Sequence, residues 1–201
     1  MDEQAEAITN MLSRRLFVEL EASGRHVHVT KEQAMALFGH DLTPRRPLSQ
    51  PGQYLASERV TVKTDKGEIA RVAVLGPARK EGQVEISYTD AVALGVTPPV
   101  RLSGELEGTL PVTLVGEKGS VTLSRGLMVA RRHIHMTPAD AALQHVSDGE
   151  VVRLKALTPR PVIFEDVVVR VSEQFATYAH LDYDEANACG FHRGDLGMIL
   201  R

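Results

Sequence analysis

A duplicated His-x-His segment constrains this chain more than any other feature. Residues 25–37 read R-H-V-H-V-T-K-E-Q-A-M-A-L, and residues 132–144 read R-H-I-H-M-T-P-A-D-A-A-L-Q, so the two copies start 107 residues apart (25 against 132). A weaker match follows each copy. Residues 85–95 read E-I-S-Y-T-D-A-V-A-L-G and residues 180–190 read H-L-D-Y-D-E-A-N-A-C-G, which places Glu85 opposite His180. A chain built this way folds as two related halves, and each half carries H-x-H plus one further candidate ligand.

Between and around these copies the pattern is β-rich. Phe17–Glu21, His26–Val29, Val151–Ala156 and Val167–Val171 read as strands. The turns T-D-K-G at 64–67 and G-E-K-G at 116–119 each sit between two alternating runs and read as hairpins. Short helices are predicted after Thr30 and Thr137, each with a Thr N-cap. Residues 2–15 fit one amphipathic helix with Ala5, Ile8 and Leu12 on one side. Many short strands and few helices indicate a barrel or a sandwich rather than a doubly wound sheet. The Pro- and Gly-containing stretch Thr97–Gly108 is the expected junction between halves.

Composition narrows the function classes. The 201 residues carry 23 basic and 26 acidic side chains, a net charge of −3, which argues against a globally basic nucleic-acid binder. The single cysteine, Cys189, excludes an intramolecular disulfide framework and a Cys-rich zinc finger. It has no partner histidine in repeat register, so it reads as a small buried thiol. No stretch approaches the roughly 20 apolar residues of a membrane-spanning helix, and the acidic N-terminus does not read as a secretory signal. The expectation is a soluble intracellular protein.

Metal chemistry explains the repeat. On a strand, residues i and i+2 face the same way, about 6.5–7 Å apart, so H-x-H sets two imidazoles side by side. A third ligand from another strand completes a three-point site. His26, His28 and Glu85 form one such set, and His133, His135 and His180 the other. Two or three imidazoles with at most one carboxylate are catalytic zinc compositions, which leave a coordination position open; Co, Ni, Fe(II) and Mn share the preference for imidazole. His40, His145 and His192 fall outside the pattern. Neither a P-loop nor a G-x-G-x-x-G fingerprint is present.

The segments R-H-V-H-V-T, L-S-Q-P-G-Q, V-L-G-P-A-R, Q-V-E-I-S, R-H-I-H-M-T and H-L-D-Y-D-E-A-N-A together resemble the PduL-type phosphate propanoyltransferase family, phosphotransacylases of bacterial microcompartments such as those for propanediol degradation. The resemblance spans about residues 16–195. It implies two interlocked β-barrels capped by short helices: 16–24 with 131–201 as one, 25–130 as the other, and 1–15 as an N-terminal helix. It implies two zinc ions in a shared active site, one on His26, His28 and Glu85 and the other on His133, His135 and His180. The last motif departs from the usual family form at Tyr183, where the family has Thr.

The reaction so implied is transfer of a short acyl group, propanoyl or acetyl, between coenzyme A and inorganic phosphate. The open position of the first metal would take the CoA sulfur, and the second would keep waters that phosphate displaces. Arg79, six residues before Glu85, is the expected phosphate-binding residue. Ser23, Arg46 and Asn187 resemble positions that contact CoA. The alternative is a metal-dependent acyl-CoA thioesterase or other zinc hydrolase, in which water replaces phosphate as the nucleophile; a scaffold without catalysis is the third reading. Residues 1–15 would dock on microcompartment shell or cargo proteins, placing the enzyme inside a cytoplasmic microcompartment. No nucleic acid or membrane partner is expected, and self-association into a homo-oligomer is left open.

Overall fold

A computed structural model describes residues 3–200. In chain order the elements are α1 (Glu3–Leu16), β1 (Val18–Ser23), β2 (His26–His28), α2 (Lys31–Phe38), β3 (Pro44–Pro47), β4 (Tyr54–Lys63), β5 (Glu68–Gly76), β6 (Gln83–Ile86), α3 (Tyr88–Ala93) and β7 (Val100–Arg101). Then follow β8 (Leu110–Val115), β9 (Ser120–Ala130), β10 (His133–Met136), α4 (Pro138–Gln144), β11 (Val151–Leu157), β12 (Ile163–Val171), β13 (Tyr178–Asp182), α5 (Tyr183–Cys189) and β14 (Leu196–Leu200). The chain divides into two compact units, one of residues 1–23 with 132–201 and one of residues 24–131. The stretch Thr97–Gly108 is therefore not a junction. It lies inside the second unit, where β7 pairs with β9, and the crossings fall instead at the short links that lead into β2 and β10.

Each unit is a closed ring of six strands. In the first the order is β1-β13-β10-β12-β11-β14, closed by pairing of β14 with β1. In the second, β8 pairs with both β4 and β9 and closes the ring β4-β5-β2-β6-β9-β8, with β3 and β7 added outside it. The rings share one pairing scheme. Both H-x-H strands have a parallel neighbour, β5 for β2 and β12 for β10, and an antiparallel neighbour, β6 for β2 and β13 for β10. The repeat is thus a repeat of strand pairing, and the barrel alternative prevails over the sandwich.

Strand alternation explains why the ligand-bearing strands form. Val27 and Ile134, each between two histidines, are fully buried in the apolar core of their own unit. Val84 and Ile86 flank Glu85 in the same way, and Ala179 and Leu181 flank His180. Successive side chains point to opposite faces, so apolar residues fill the barrel while the ligands occupy its outer face. The hairpins form where expected. In the first, Thr64 Oγ1 accepts from the backbone N–H groups of Lys66 and Gly67, and a Cβ on Gly67 would lie 2.2 Å from the Ala93 carbonyl. In the second, a Cβ on Gly116 would lie 2.4 Å from the Leu37 carbonyl, so only glycine lets this turn rest on the end of α2.

All four ligand strands end in a capped helix, and each N-cap lies two residues beyond a ligand. Thr30 follows His28, Ser87 follows Glu85, Thr137 follows His135 and Asp182 follows His180. The cap side chain accepts from the N3 backbone N–H in each case, satisfying one of the first-turn donors that have no partner in the helix. The strand therefore stops at a fixed distance from its ligand.

β1 belongs to the core of the first unit, and its Leu20 is only 2% exposed. Truncating a buried leucine costs its transfer energy plus a cavity term. Leu20→Ala is expected to lower the unfolding free energy by about 2–5 kcal/mol, read by urea denaturation of the full chain.

Candidate metal centres and active site

The two triads are built by strand register. His26 pairs directly with Glu85 across β2–β6, and His133 pairs directly with His180 across β10–β13. Directly opposed residues share a face, and the second histidine of each H-x-H shares it as well. In each triad the candidate ligand atoms lie within 4.8 Å of one another. Five of the six side chains belong to buried residues and His180 to a half-buried one.

In the second unit, His26 Nδ1 donates to the Gly24 carbonyl at 2.8 Å, which leaves Nε2 facing Glu85 Oε2 at 3.6 Å. The other Glu85 oxygen, Oε1, accepts from Gln83 Nε2 at 2.6 Å. Gln83 is itself fixed: its Nε2 also donates to Ser103 Oγ at 2.6 Å, and its Oε1 accepts from the Gly104 backbone at 3.0 Å. Arg79 donates to the same Ser103 hydroxyl at 2.8 Å. One hydroxyl thus links the glutamine that orients Glu85 to the expected phosphate-binding arginine. Among the described residues, His28 Nδ1 is buried without a hydrogen bond of normal geometry, although the Leu75 backbone acts on the ring. A buried imidazole nitrogen so placed, beside a second imidazole and a carboxylate, suits a divalent cation.

The electrostatics agree with that composition. Burial pulls the His26 pKa down, but the close Glu85 carboxylate and the hydrogen bond to the Gly24 carbonyl outweigh it, so the net shift is upward from 6.5. Burial pushes Glu85 up, yet His26 and the neighbouring donors hold it well below the usual carboxylate range. His28 lies well below 6.5, through burial and then the positive charges of His26 and Arg79. At neutral pH this triad offers a carboxylate and a neutral His28.

In the first unit, the rings of His133 and His180 stack at 5.0 Å, and His135 meets both edge-on at 4.5 and 4.8 Å. His135 also stacks on Phe175 at 4.0 Å, and the Arg170 guanidinium lies 5.8 Å from the Phe175 ring. His180 Nδ1 faces Glu21 Oε2 on β1 at 3.3 Å.

The remaining sequence-predicted residues fall as follows. Arg79 is half-buried, and its positive charge acts on both His26 and His28. Ser23 ends β1 opposite Asp182, and Asn187 is exposed on α5, both in the first unit. Arg46 is exposed on β3 in the second. Arg25 and Arg132, which precede the H-x-H segments, reach Asp90 and Glu185. Those acids are the N3 residues of α3 and α5, so each arginine ties the start of one ligand strand to the helix that follows the other. Cys189 is buried, and burial raises its thiol pKa. His40, His145 and His192 are all exposed. Gln83, Ser103, Glu21 and Phe175 were not singled out from the sequence. Gln83 was within reach of the same i, i+2 logic that pairs His26 with His28.

The raised pKa of His26 has a consequence with a definite sign. Below that pKa a cation must displace a proton from His26, so binding to this triad weakens as pH falls through a value above 6.5. In a His135→Ala background, which leaves the His26 triad intact, zinc binding is expected to release a proton from His26 below that pKa, with the release falling away above it. Calorimetry in two buffers of different ionisation enthalpy reads the proton directly. Proton release confined to pH well below 6.5 would contradict the assignment.

The comparisons with known proteins agree with one another. A family model described as phosphate propanoyltransferase matches residues 19–192. A phosphate propanoyltransferase of Listeria monocytogenes is 54% identical over 198 residues, covering 98% of this chain and 93% of the relative. One of Clostridioides difficile is 50% identical over 203 residues, covering 100% of this chain and 97% of the relative. One of Enterococcus faecalis is 55% identical over 185 residues, covering 91% and 88%. Both triads and Arg79 lie within the matched span, and the chain belongs to the phosphate propanoyltransferase family.

Proposed function

We propose that this chain transfers a short acyl group, propanoyl or acetyl, between coenzyme A and inorganic phosphate, with one zinc ion on each triad. The observation that carries the reading is Arg79. It is a half-buried guanidinium held by Ser103, and its charge acts directly on His26 and His28 of the first triad. Guanidinium binds phosphate oxygens in a bidentate fork, a contact that a water nucleophile does not require. Zinc bound to three protein ligands supplies Lewis acidity toward a thioester carbonyl and a soft site for a thiolate. The protein's own groups do the remainder. Gln83 and Gly24 fix Glu85 and His26 before substrate arrives, and Arg79 holds phosphate in line for attack. Holding two reactants in register is worth about 7–11 kcal/mol of barrier.

Ser23, Arg46 and Asn187 are proposed CoA contacts. Support is strongest for Arg46. It follows Arg45 on β3, whose charge, with that of Arg71, adds to burial in depressing Arg59. Such a concentration of positive charge suits the phosphates of CoA.

The test is release of CoA from propanoyl-CoA and acetyl-CoA with and without phosphate. Release that requires phosphate is expected; phosphate-independent release would replace this reading with a thioesterase. His28→Ala and His135→Ala are each expected to remove one bound zinc and essentially all activity. Arg79→Ala should keep fold and zinc while raising the KM for phosphate at least tenfold, and unchanged phosphate kinetics would reject its role.

The N-terminal helix supports a location within a bacterial microcompartment. The C-terminal end of α1 is fastened: Arg14 pairs with Asp140, and Gln144 donates to the Arg14 and Phe17 carbonyls. Ile8, Met11, Leu12 and Leu16 nevertheless remain exposed at helical spacing. This stripe suits a partner helix from shell or cargo. Deleting residues 1–14 is expected to leave catalysis intact and abolish encapsulation in a microcompartment-forming host, scored by co-fractionation with purified compartments.

A further inference from the structure

The two triads differ in charge. The first contains a carboxylate, Glu85; the second is built of three imidazoles. A divalent cation on three neutral imidazoles leaves the full double charge uncompensated, and the structure places a compensating group one strand away. Glu21 on β1 stands directly opposite His180, and its Oε2 lies 3.3 Å from His180 Nδ1. In the second unit the strand in the place of β1 is β9, and the residue opposite Glu85 is Met128. Glu21 and Met128 are also repeat partners, 107 residues apart (21 against 128). Where the ligand is a carboxylate, the neighbouring strand offers a thioether. Where the ligand is an imidazole, it offers a carboxylate. The negative charge has been kept and moved outward by one strand.

We propose that Glu21 is a positioning residue for the His133–His135–His180 triad. Its carboxylate accepts the Nδ1 proton of His180, fixes the tautomer whose Nε2 carries no proton, and makes that imidazole a stronger donor. Carboxylate–imidazole–metal arrangements of this kind raise ligand basicity, and their loss typically costs 10–100-fold in metal affinity. Glu21 stands outside the three-histidine cluster, on the neighbouring strand, where it faces His180 Nδ1. Its side chain is 34% exposed against 11% for His180, so the carboxylate keeps part of its hydration. The inference rests on the zinc reading of this triad.

The test isolates each triad in the full chain. A His28→Ala background leaves the His133 triad, and a His135→Ala background leaves the His26 triad. Zinc affinity is measured by chelator competition, and the coordination sphere by the visible spectrum of the cobalt(II) form. Glu21→Gln is expected to weaken zinc 10–100-fold in the His28→Ala background and to shift the cobalt bands. It should leave affinity in the His135→Ala background unchanged, and Glu21→Asp should restore part of the loss. Unchanged affinity and spectrum in the first background would overturn the role of Glu21 while the metal site stands. Equal weakening in both backgrounds would show a general loss of structure and overturn it too. If the His28→Ala chain with native Glu21 takes up no zinc, the metal reading of this triad fails, and the inference fails with it.

Discussion

Direct pairing of His26 with Glu85 and of His133 with His180 is the constraint on which the rest of this fold depends. A register slip of one residue would turn every ligand into a barrel and every core residue out of it. The register is therefore protected on both faces. Inside, Val27, Val84, Ile134 and Ala179 are fully buried and leave no room for a slip. At the strand ends, four N-caps set two residues beyond a ligand stop the strands at defined points. The ion pairs from Arg25 and Arg132 to the N3 acids of α3 and α5 add a cross-tie in each unit.

Duplication preserved this frame and let the chemistry diverge. Gln83, on the strand of Glu85, is a hydrogen-bond hub joining that ligand to Arg79 through Ser103. Its register counterpart in the first unit is Tyr178, opposite His135, where Phe175 instead packs on the histidine ring. One triad is thus supported by a polar network that includes a cation. The other is supported by aromatic stacking and a single carboxylate from a different strand. Equal backbones thus carry unequal surroundings.

Much of this was legible in the sequence because the informative signals were local. The H-x-H spacing, the alternation around Val27 and Ile134, the Thr N-caps and the T-D-K-G and G-E-K-G turns each act over a few residues. The matching of Glu85 with His180 came from the repeat, which stands in for long-range information. What escaped was non-local. Nothing near Thr97–Gly108 distinguishes a linker from a loop that pairs β7 with β9, so the junction was misplaced. Gln83 and Ser103 meet across 20 residues, and Glu21 reaches His180 across most of the chain. No short-range periodicity reports such contacts. The Glu21–Met128 difference was visible in repeat register, but its meaning depends on knowing that β1 lies beside β13.

That strand order also bears on how the protein is made. β1 is made before every other strand of its barrel, and its partners β13 and β14 are made after the rest of that barrel. The second unit can close while synthesis continues, because all of its strands lie between residues 24 and 131. β1 must wait with an unpaired edge and with Val18 and Leu20 uncovered, conditions that favour pairing with another chain. Native β1 pairing is long-range and slow by topology. The acidic Glu19 and Glu21 alternate with those apolar residues, so the carboxylate that faces His180 in the finished barrel also favours solubility of the waiting strand.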